Sequence, residues 1–121
     1  MFSTMLKAKI HGATVTSSQL DYEGSLTIDS ELMDYVKILP YEKILVSNLE
    51  NGNRFETYAI CGERGKGEIC LNGATAHLGK VGDRIIIFTF ALVPTEQAAQ
   101  VRPRVIRVDA RNQVEGGLRP V

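Results

Sequence analysis

The stretch KILVSNLENGNRFETYAI, residues 43–60, contains two runs of β-forming residues on either side of Asn51-Gly52. An Asn-Gly pair favours a tight hairpin turn because both residues tolerate the positive φ angles that such a turn requires. The stretch therefore predicts a β-hairpin. It is the strongest local signal in the chain, and the segments that flank it are also rich in β-forming residues.

Strand patterns precede and follow the hairpin. Near the start of the chain, Leu6, Ala8 and Ile10 alternate with polar residues, which is the period of a strand with one apolar face. The continuous apolar character of residues 84–93 is typical of a strand buried on both faces. Further short strands are predicted at residues 14–16, 26–29, 67–71 and 104–109.

Two short helices are predicted between the strands. Asp29 or Ser30 can cap a helix that runs to about residue 38, and Pro40 stops it. Its apolar stripe would consist of Leu32, Met33, Val36 and Leu39. Thr95 can cap a second helix through Gln100. Six or seven short strands with two small helices indicate a mainly β chain that closes into a β-barrel, because closure removes exposed strand edges.

Length and charge limit the classes of function. A chain of 121 residues is long enough for one core and too short for two, so we expect a single domain over residues 1–115. Residues 110–121 are polar and Gly-rich without periodicity, and we expect a mobile tail there, with 116–121 outside the domain. The formal net charge is zero, which offers no general attraction to nucleic acid or to an anionic membrane.

Neither membrane insertion nor export is predicted. The longest apolar run ends at Val93 with Thr89 inside it, far short of the ~20 residues of a membrane-spanning helix. The first residues, MFSTMLKAKI, lack the apolar stretch and small residues of a signal peptide. We therefore expect the protein in the cytoplasm.

The two cysteines do not indicate a metal site. Cys61 and Cys70 are nine positions apart without a CxxC pair, and His11 and His77 are the only histidines, so zinc binding has little support and no metal is expected. Both cysteines lie in strand-like segments among apolar neighbours, where a thiol tends to stay protonated. We expect them to be reduced, half-buried core residues.

Five segments occur in an order and at separations that are specific in combination. They are MLKAKIHGATVT at 5–16, LDYEGSLTID at 20–29, NGNRFETYAI at 51–60, LNGATAHLGKVGD at 71–83 and the Arg-Pro pair at 102–103. Together they resemble the family of pyruvoyl-dependent aspartate decarboxylases, which make β-alanine for pantothenate synthesis. The resemblance implies a double-psi β-barrel, a homotetramer with active sites between neighbouring subunits, and L-aspartate as the substrate.

The same resemblance implies that the chain cuts itself between Gly24 and Ser25; an isolated Gly-Ser pair would otherwise indicate only a turn. The Ser25 hydroxyl attacks the Gly24 carbonyl, which shifts the peptide bond to an ester. Elimination then leaves dehydroalanine, which hydrolyses to a pyruvoyl group and ammonia. Glycine suits the position before the cut because it has no side chain to block the attack. The pyruvoyl ketone forms a Schiff base with aspartate and accepts the electrons that CO2 leaves behind.

The resemblance also implies roles for residues elsewhere in the chain. Lys9 and Arg54 match the cations that hold the carboxylates of aspartate, and Arg54 can do so in bidentate fashion. Tyr58 matches the proton donor that acts after CO2 leaves. Thr57 matches a residue that assists self-cleavage near the Gly24 carbonyl and contacts the substrate. The remaining matches are the substrate loop, Asn72, Gly73, Ala74 and Thr75, and two residues expected beside the site, His11 and Tyr22.

Thr57 and Tyr58 raise a geometric difficulty. Adjacent residues of a regular strand point to opposite faces, so both side chains cannot face one pocket. Either the strand is bulged there, or the site is reached from two sides at a subunit boundary.

The substrate loop departs from the family pattern at one position. Many members have Ala-Ala-Ala-His where this chain has Ala74-Thr75-Ala76-His77. If the loop contacts substrate through its backbone N–H groups, the change is mild. A Thr75 side chain that points inward would narrow the pocket.

Two other functions fit parts of the sequence. A non-enzymatic β-barrel binding module would leave the chain intact at Ser25, since fold alone does not fix function. A pyruvoyl decarboxylase for another amino acid is the second alternative, because Lys9 and Arg54 argue for a second substrate carboxylate without excluding glutamate. The sequence also leaves open whether cleavage is spontaneous or needs an accessory maturation protein.

Overall fold

The computed structural model describes residues 1–120, and these form one nine-stranded sheet with short helices. The strands are β1 (Phe2–Thr14), β2 (Ser17–Gln19), β3 (Ser25–Asp29), β4 (Lys43–Asn48), β5 (Arg54–Gly62), β6 (Ile69–Asn72), β7 (Arg84–Pro94), β8 (Arg104–Val108) and β9 (Val114–Glu115). The α-helix α1 spans Ser30–Val36, and 3-10 helices span Gly73–His77 and Thr95–Gln100. The prediction of a mainly β fold is confirmed.

The strand order differs from the chain order. The sheet runs β2-β6-β3-β5-β4-β7-β1-β8-β9. The pairs β1–β8, β2–β6 and β3–β5 are parallel, and the other pairs are antiparallel. The predicted hairpin is formed by β4 and β5, whose antiparallel register runs from Lys43↔Tyr58 to Ser47↔Arg54.

Hydrogen bonds tie the two ends of this strand order together. Residues 15 and 16 alone separate β1 from β2, although these strands lie at opposite ends of the order. Asn112, before β9, donates to the carbonyl oxygens of Thr14 at 2.8 Å and Gly67 at 2.7 Å. The Thr16 backbone N–H donates to the carbonyl oxygen of Ile69 at 2.8 Å. This arrangement is consistent with a β-barrel.

Aliphatic side chains from most of the strands and from α1 fill one core. The largest fully buried ones include Ile10, Leu26, Ile28, Leu32, Met33, Ile44, Ile69, Leu71, Ile85, Ile87 and Ile106. Burial of each such side chain contributes roughly 1.5–3 kcal/mol to the free energy of unfolding. This core holds β3, β5 and β6 together, and those strands carry most of the predicted cleavage residues.

Helix α1 begins as predicted and ends early. The Asp29 carboxylate accepts from the backbone N–H of Glu31 at 2.8 Å and also from Gly67 at 2.7 Å, so the cap is anchored to a second loop. Lys37 adopts a left-handed conformation, with φ 61°, directly after the helix. Leu39 is therefore outside the helix and 62% exposed, and its prediction as part of the apolar stripe is wrong.

Two strand predictions need correction. Strand β7 is not buried on both faces, because Ile85 and Ile87 point into the core while Phe90 and Leu92 are 44% and 68% exposed. The short strand predicted at 14–16 lies at 17–19, since β1 continues to Thr14 through two register shifts in its pairing with β7.

Residues 110–115 include a buried side chain and a short strand, although their sequence shows no periodicity. Asn112 is 1% exposed, and Thr14 N–H donates to its side-chain oxygen at 2.7 Å. Strand β9 then pairs with β8. The expected mobile tail therefore does not begin at Ala110. No helix within residues 1–120 is both long and apolar enough to cross a membrane.

Candidate active site

A cavity of about 360 Å³ opens beside the start of β3. Ser25, Tyr22 and Tyr58, three of the residues predicted for the site, line this cavity. The remaining lining residues are Glu23, Pro40, Tyr41, Ile60 and Cys61. We refer to it as the Ser25 cavity.

Ser25 is held by the side chain of Asn72. Ser25 is 1% exposed and pairs with Asn72 across β3 and β6. The Asn72 amide donates to Ser25 Oγ at 3.0 Å and to Thr27 Oγ1 at 2.9 Å, and Cys70 Sγ donates to Asn72 Oδ1 at 3.1 Å. Both amide hydrogens are thus used, and a donor in this position can stabilise negative charge on a serine oxygen.

The backbone around Gly24 is in close contact with the substrate loop. Gly73 has φ 64°, and a Cβ added there would lie 2.5 Å from the carbonyl oxygen of Tyr22 and 2.8 Å from the nitrogen of Gly24. Only glycine therefore fits at position 73. A Cβ at Gly24 would meet nothing within 4 Å, so the space beside the Gly24–Ser25 bond is open.

Thr75 points inward, towards the backbone rather than into the Ser25 cavity. It is 6% exposed, and its hydroxyl donates to the carbonyl oxygen of Asn72 at 2.7 Å. The same hydroxyl lies 3.4 Å from the carbonyl oxygen of Ser25. Thr75 does not line the Ser25 cavity, and neither does Ala74, which is exposed.

Strand β5 is regular between Arg54 and Tyr58. Its pairing with β4 shows no register shift over these residues, which excludes a bulge there. Tyr58 lines the Ser25 cavity, and strand alternation directs Thr57 to the opposite face. The first explanation for the Thr57–Tyr58 difficulty, a bulge, is therefore wrong, and a site reached from two sides stays a prediction.

Lys9 and Arg54 do not line the Ser25 cavity. Their charged groups both lie over the ring of Phe88, at 5.7 Å and 5.9 Å from its centroid. Arg54 is four residues from Tyr58 along β5, which corresponds to about 13 Å. The predicted site residues thus form two groups in one chain. One surrounds Ser25, and the other, which we call the cationic group, comprises Lys9 and Arg54, with His11 two residues from Lys9 on β1.

The surroundings of His11 disfavour its protonated form. Burial lowers the pKa of His11 below its usual 6.5, and the positive charges of Arg107, Lys9 and Arg84 lower it further. His11 is therefore uncharged at neutral pH and can accept a hydrogen bond through one ring nitrogen.

Sequence reasoning missed several residues of this region. Thr27 could have been found, because it lies two positions after Ser25 and so shares its strand face. Cys70 is buried and contacts Asn72, a role that no motif signals. Cys61 was expected in the core, but it is exposed and lines the Ser25 cavity. Both cysteines are free thiols.

Comparison with known proteins identifies the family. The family model described as aspartate decarboxylase matches residues 1–115. The chain is 56% identical over 114 residues to an aspartate 1-decarboxylase of Pelotomaculum thermopropionicum, covering 94% of this chain and 86% of that protein. It is 54% identical over 109 residues to the aspartate 1-decarboxylase of Thermoanaerobacter pseudethanolicus, covering 90% of this chain and 93% of that protein. The chain therefore belongs to the aspartate decarboxylase family.

Proposed function

We propose that this protein converts L-aspartate to β-alanine and CO2, using a pyruvoyl group that it generates by cleaving itself between Gly24 and Ser25. The product would serve pantothenate and coenzyme A synthesis in the cytoplasm. The observation that carries the proposal is the buried Ser25, whose Oγ accepts a hydrogen bond from Asn72 beside the unobstructed Gly24.

Self-cleavage needs a nucleophile, access to the carbonyl and stabilisation of charge. Ser25 Oγ supplies the nucleophile, and its hydroxyl donates a hydrogen bond to the carbonyl oxygen of Glu23 at 3.4 Å. As Oγ attacks, the hydroxyl proton would pass to the nitrogen of residue 25, which leaves the Gly24 carbonyl carbon as the ester forms. The Asn72 amide stabilises Oγ as the proton leaves. Gly24 leaves the approach open. We propose that Thr57 assists at the Gly24 carbonyl, from the other side of the site.

The surroundings of Ser25 fit a pyruvoyl group. The amide of Asn72 would donate to an oxygen of the group, and Thr75 would lie beside the carbonyl of residue 25. A bound pyruvoyl ketone supplies the electron sink for decarboxylation, the role that pyridoxal phosphate has in other enzymes.

Residues of both groups would then handle the substrate. Lys9 and Arg54 would bind its carboxylates, since ammonium and guanidinium groups form charge-assisted hydrogen bonds with carboxylates. Tyr58 lines the Ser25 cavity, and its phenol hydroxyl would donate a proton to the carbon that has lost CO2. Asn72, Gly73, Ala74 and Thr75 would form the substrate loop, with His11 and Tyr22 beside it.

The separation of the two groups supports an assembly with shared sites. Within one chain the backbone of Arg54 lies about 13 Å along β5 from that of Tyr58, and neither Lys9 nor Arg54 lines the Ser25 cavity. We propose that a second chain brings its Lys9 and Arg54 to the Ser25 cavity of the first. A homotetramer with sites between subunits, each chain folding as one domain over residues 1–115, meets this requirement.

The direct test is product formation. Purified protein incubated with L-aspartate should release CO2 and β-alanine in equal amounts, detectable by mass spectrometry. A parallel incubation with L-glutamate distinguishes the two acidic substrates. The matched control is Ser25→Ala, which loses the hydroxyl but keeps the buried position. Absence of β-alanine from fully cleaved protein would refute the proposed reaction.

A further inference from the structure

Tyr41 has an unusual backbone conformation at the edge of the Ser25 cavity. Its φ is 69°, in the left-handed region that a residue with a bulky side chain rarely adopts. Such conformations persist where the surrounding structure enforces them, and they occur most often at functional sites. The side chain is 77% exposed, so burial of the ring is not the reason for the strain.

Three contacts enforce this conformation. The Tyr41 backbone N–H donates to the carbonyl oxygen of Ala59 at 2.7 Å, and the Ala59 N–H donates to the carbonyl oxygen of Glu42 at 3.0 Å. The Glu42 carboxylate also accepts from the backbone N–H of Leu39 at 2.9 Å. The segment between α1 and β4 is thus attached to β5 at the residue directly after Tyr58.

A partly buried ion pair completes the attachment. Lys7 Nζ donates to both carboxylate oxygens of Glu42 at 2.8 Å and to the carbonyl oxygen of Lys37 at 3.0 Å. The Lys7 and Glu42 side chains are 30% and 18% exposed. Lys7 can reach this far because it lies at the register shift between Leu6 and Ala8, outside the regular pairing of β1 with β7. The other ion pairs within residues 1–120 are more exposed.

The result of these contacts is a fixed pair of aromatic rings. The ring centroids of Tyr41 and Tyr58 are 6.3 Å apart with planes tilted by 39°, a favourable geometry for two aromatic side chains. Both rings line the Ser25 cavity. The Tyr41 ring is thus the aromatic neighbour of the Tyr58 ring in this cavity.

We propose that Tyr41 is a positioning residue for the proton donor Tyr58, and that the Lys7–Glu42 ion pair holds Tyr41 in place. This inference rests on the proposed function, in which Tyr58 donates the proton. It assigns to Lys7, Tyr41 and Glu42 an effect on turnover through Tyr58, with no contact to substrate.

The first test observes Tyr58 without any reaction. The Ser25→Ala chain is labelled with 13C-tyrosine, and the Tyr58 ring signal is assigned by its loss in Tyr58→Phe. Asparagine tolerates the left-handed conformation, so Tyr41→Asn removes the ring and keeps the backbone. We expect Tyr41→Asn and Glu42→Gln to shift the Tyr58 signal, and Asp34→Asn to leave it unchanged. Asp34 is a matched control because it forms an exposed ion pair with Arg64.

The second test uses the cleaved enzyme. We expect Tyr41→Asn and Glu42→Gln to lower kcat about tenfold with KM changed less than twofold, while self-cleavage continues. Tyr41→Phe keeps the ring and should behave like the unmodified chain, as should Asp34→Asn. If Glu42→Gln fails to fold, the kcat of Tyr41→Asn alone tests whether Tyr41 positions Tyr58.

Two results separate the failure of this inference from the failure of the proposed function. An unchanged Tyr58 signal and unchanged kcat in Tyr41→Asn would overturn the positioning role, even in an active decarboxylase. If the unmodified chain makes no β-alanine, the proposed function fails, and the Tyr58 signal still decides whether Tyr41 positions that ring. A shifted signal with unchanged kcat would also overturn the proposal, because the position of Tyr58 would then not limit turnover.

Discussion

The side-chain amide of Asn72 donates a hydrogen bond to Ser25 Oγ, with the two atoms 3.0 Å apart. The same amide donates to Thr27 Oγ1 and accepts from Cys70 Sγ, so its orientation is fixed on three sides. The proposed nucleophile of self-cleavage therefore has a donor in place before any reaction begins. The contact is testable because Asn72 can be altered without touching Ser25.

We expect Asn72→Ala to slow self-cleavage roughly ten- to a hundredfold. A hydrogen bond to a developing charge contributes about 1.5–3 kcal/mol, which the variant loses at the transition state. The fraction of cut chain is followed on a denaturing gel over time. Asn51→Ala is a suitable control because Asn51 is exposed in the hairpin loop. An unaltered cleavage rate in Asn72→Ala would remove Asn72 from the cleavage mechanism.

Variants of Tyr58 and Thr57 should affect decarboxylation and self-cleavage separately, because the two residues lie on opposite faces of a regular strand. Tyr58→Phe keeps the ring and removes the hydroxyl, so cleavage should continue while β-alanine formation falls ~10²–10⁴-fold, as for a lost general acid. Thr57→Val keeps the branched shape and removes the hydroxyl, so the chain should stay mostly uncut. A gel and a β-alanine assay on each variant measure both effects. Normal maturation of Thr57→Val would contradict this division.

Arg54→Ala should lower aspartate turnover at least tenfold and leave the fold intact. The variant loses a charge-assisted contact to a carboxylate worth about 1.5–3 kcal/mol, whereas Arg54 is exposed and has little part in the core. Steady-state kinetics and a thermal melt measure the two properties. Arg64→Ala serves as control, because Arg64 pairs with Asp34 on another surface. Equal kinetics in the two variants would exclude Arg54 from the site.

The pKa of His11 should lie below its usual 6.5, because burial and the charges of Arg107, Lys9 and Arg84 disfavour the protonated form. The unfolded chain then binds this proton more readily than the folded one, so this group reduces stability as the pH falls through 6.5. We expect Lys9→Met to raise the pKa of His11, measured by NMR titration with assignment through His11→Gln. A pKa that does not rise in Lys9→Met would contradict the contribution of Lys9.

The sequence predicted elements wherever a short-range pattern dictates them. The period of Leu6, Ala8 and Ile10 and the Asn51-Gly52 turn were sufficient for β1 and for the β4–β5 hairpin. The exposure of Phe90 and Leu92 could not be predicted, because apolar composition does not show which face of a strand meets the core. The burial of Asn112 depends on partners, Thr14 and Gly67, that are distant in sequence.

In the candidate site, too, short-range patterns could be predicted from the sequence, and contacts between distant residues could not. The motif around Gly24-Ser25 led to the cavity, and strand alternation correctly placed Thr57 and Tyr58 on opposite faces. The role of Tyr41 depends on a backbone conformation and on an ion pair with a bulged strand, and neither has a signature in the sequence. The separation of Lys9 and Arg54 from Ser25 emerged only from the strand register.

The mass of the purified protein tests the central claim most directly. The account predicts two polypeptides, residues 1–24 and residues 25–121, the second starting with a pyruvoyl group and therefore blocked to Edman sequencing. Ser25→Ala should remain a single chain, because alanine has no hydroxyl to attack or eliminate. A single full-length chain that persists after prolonged incubation, even with candidate maturation proteins, would contradict the account.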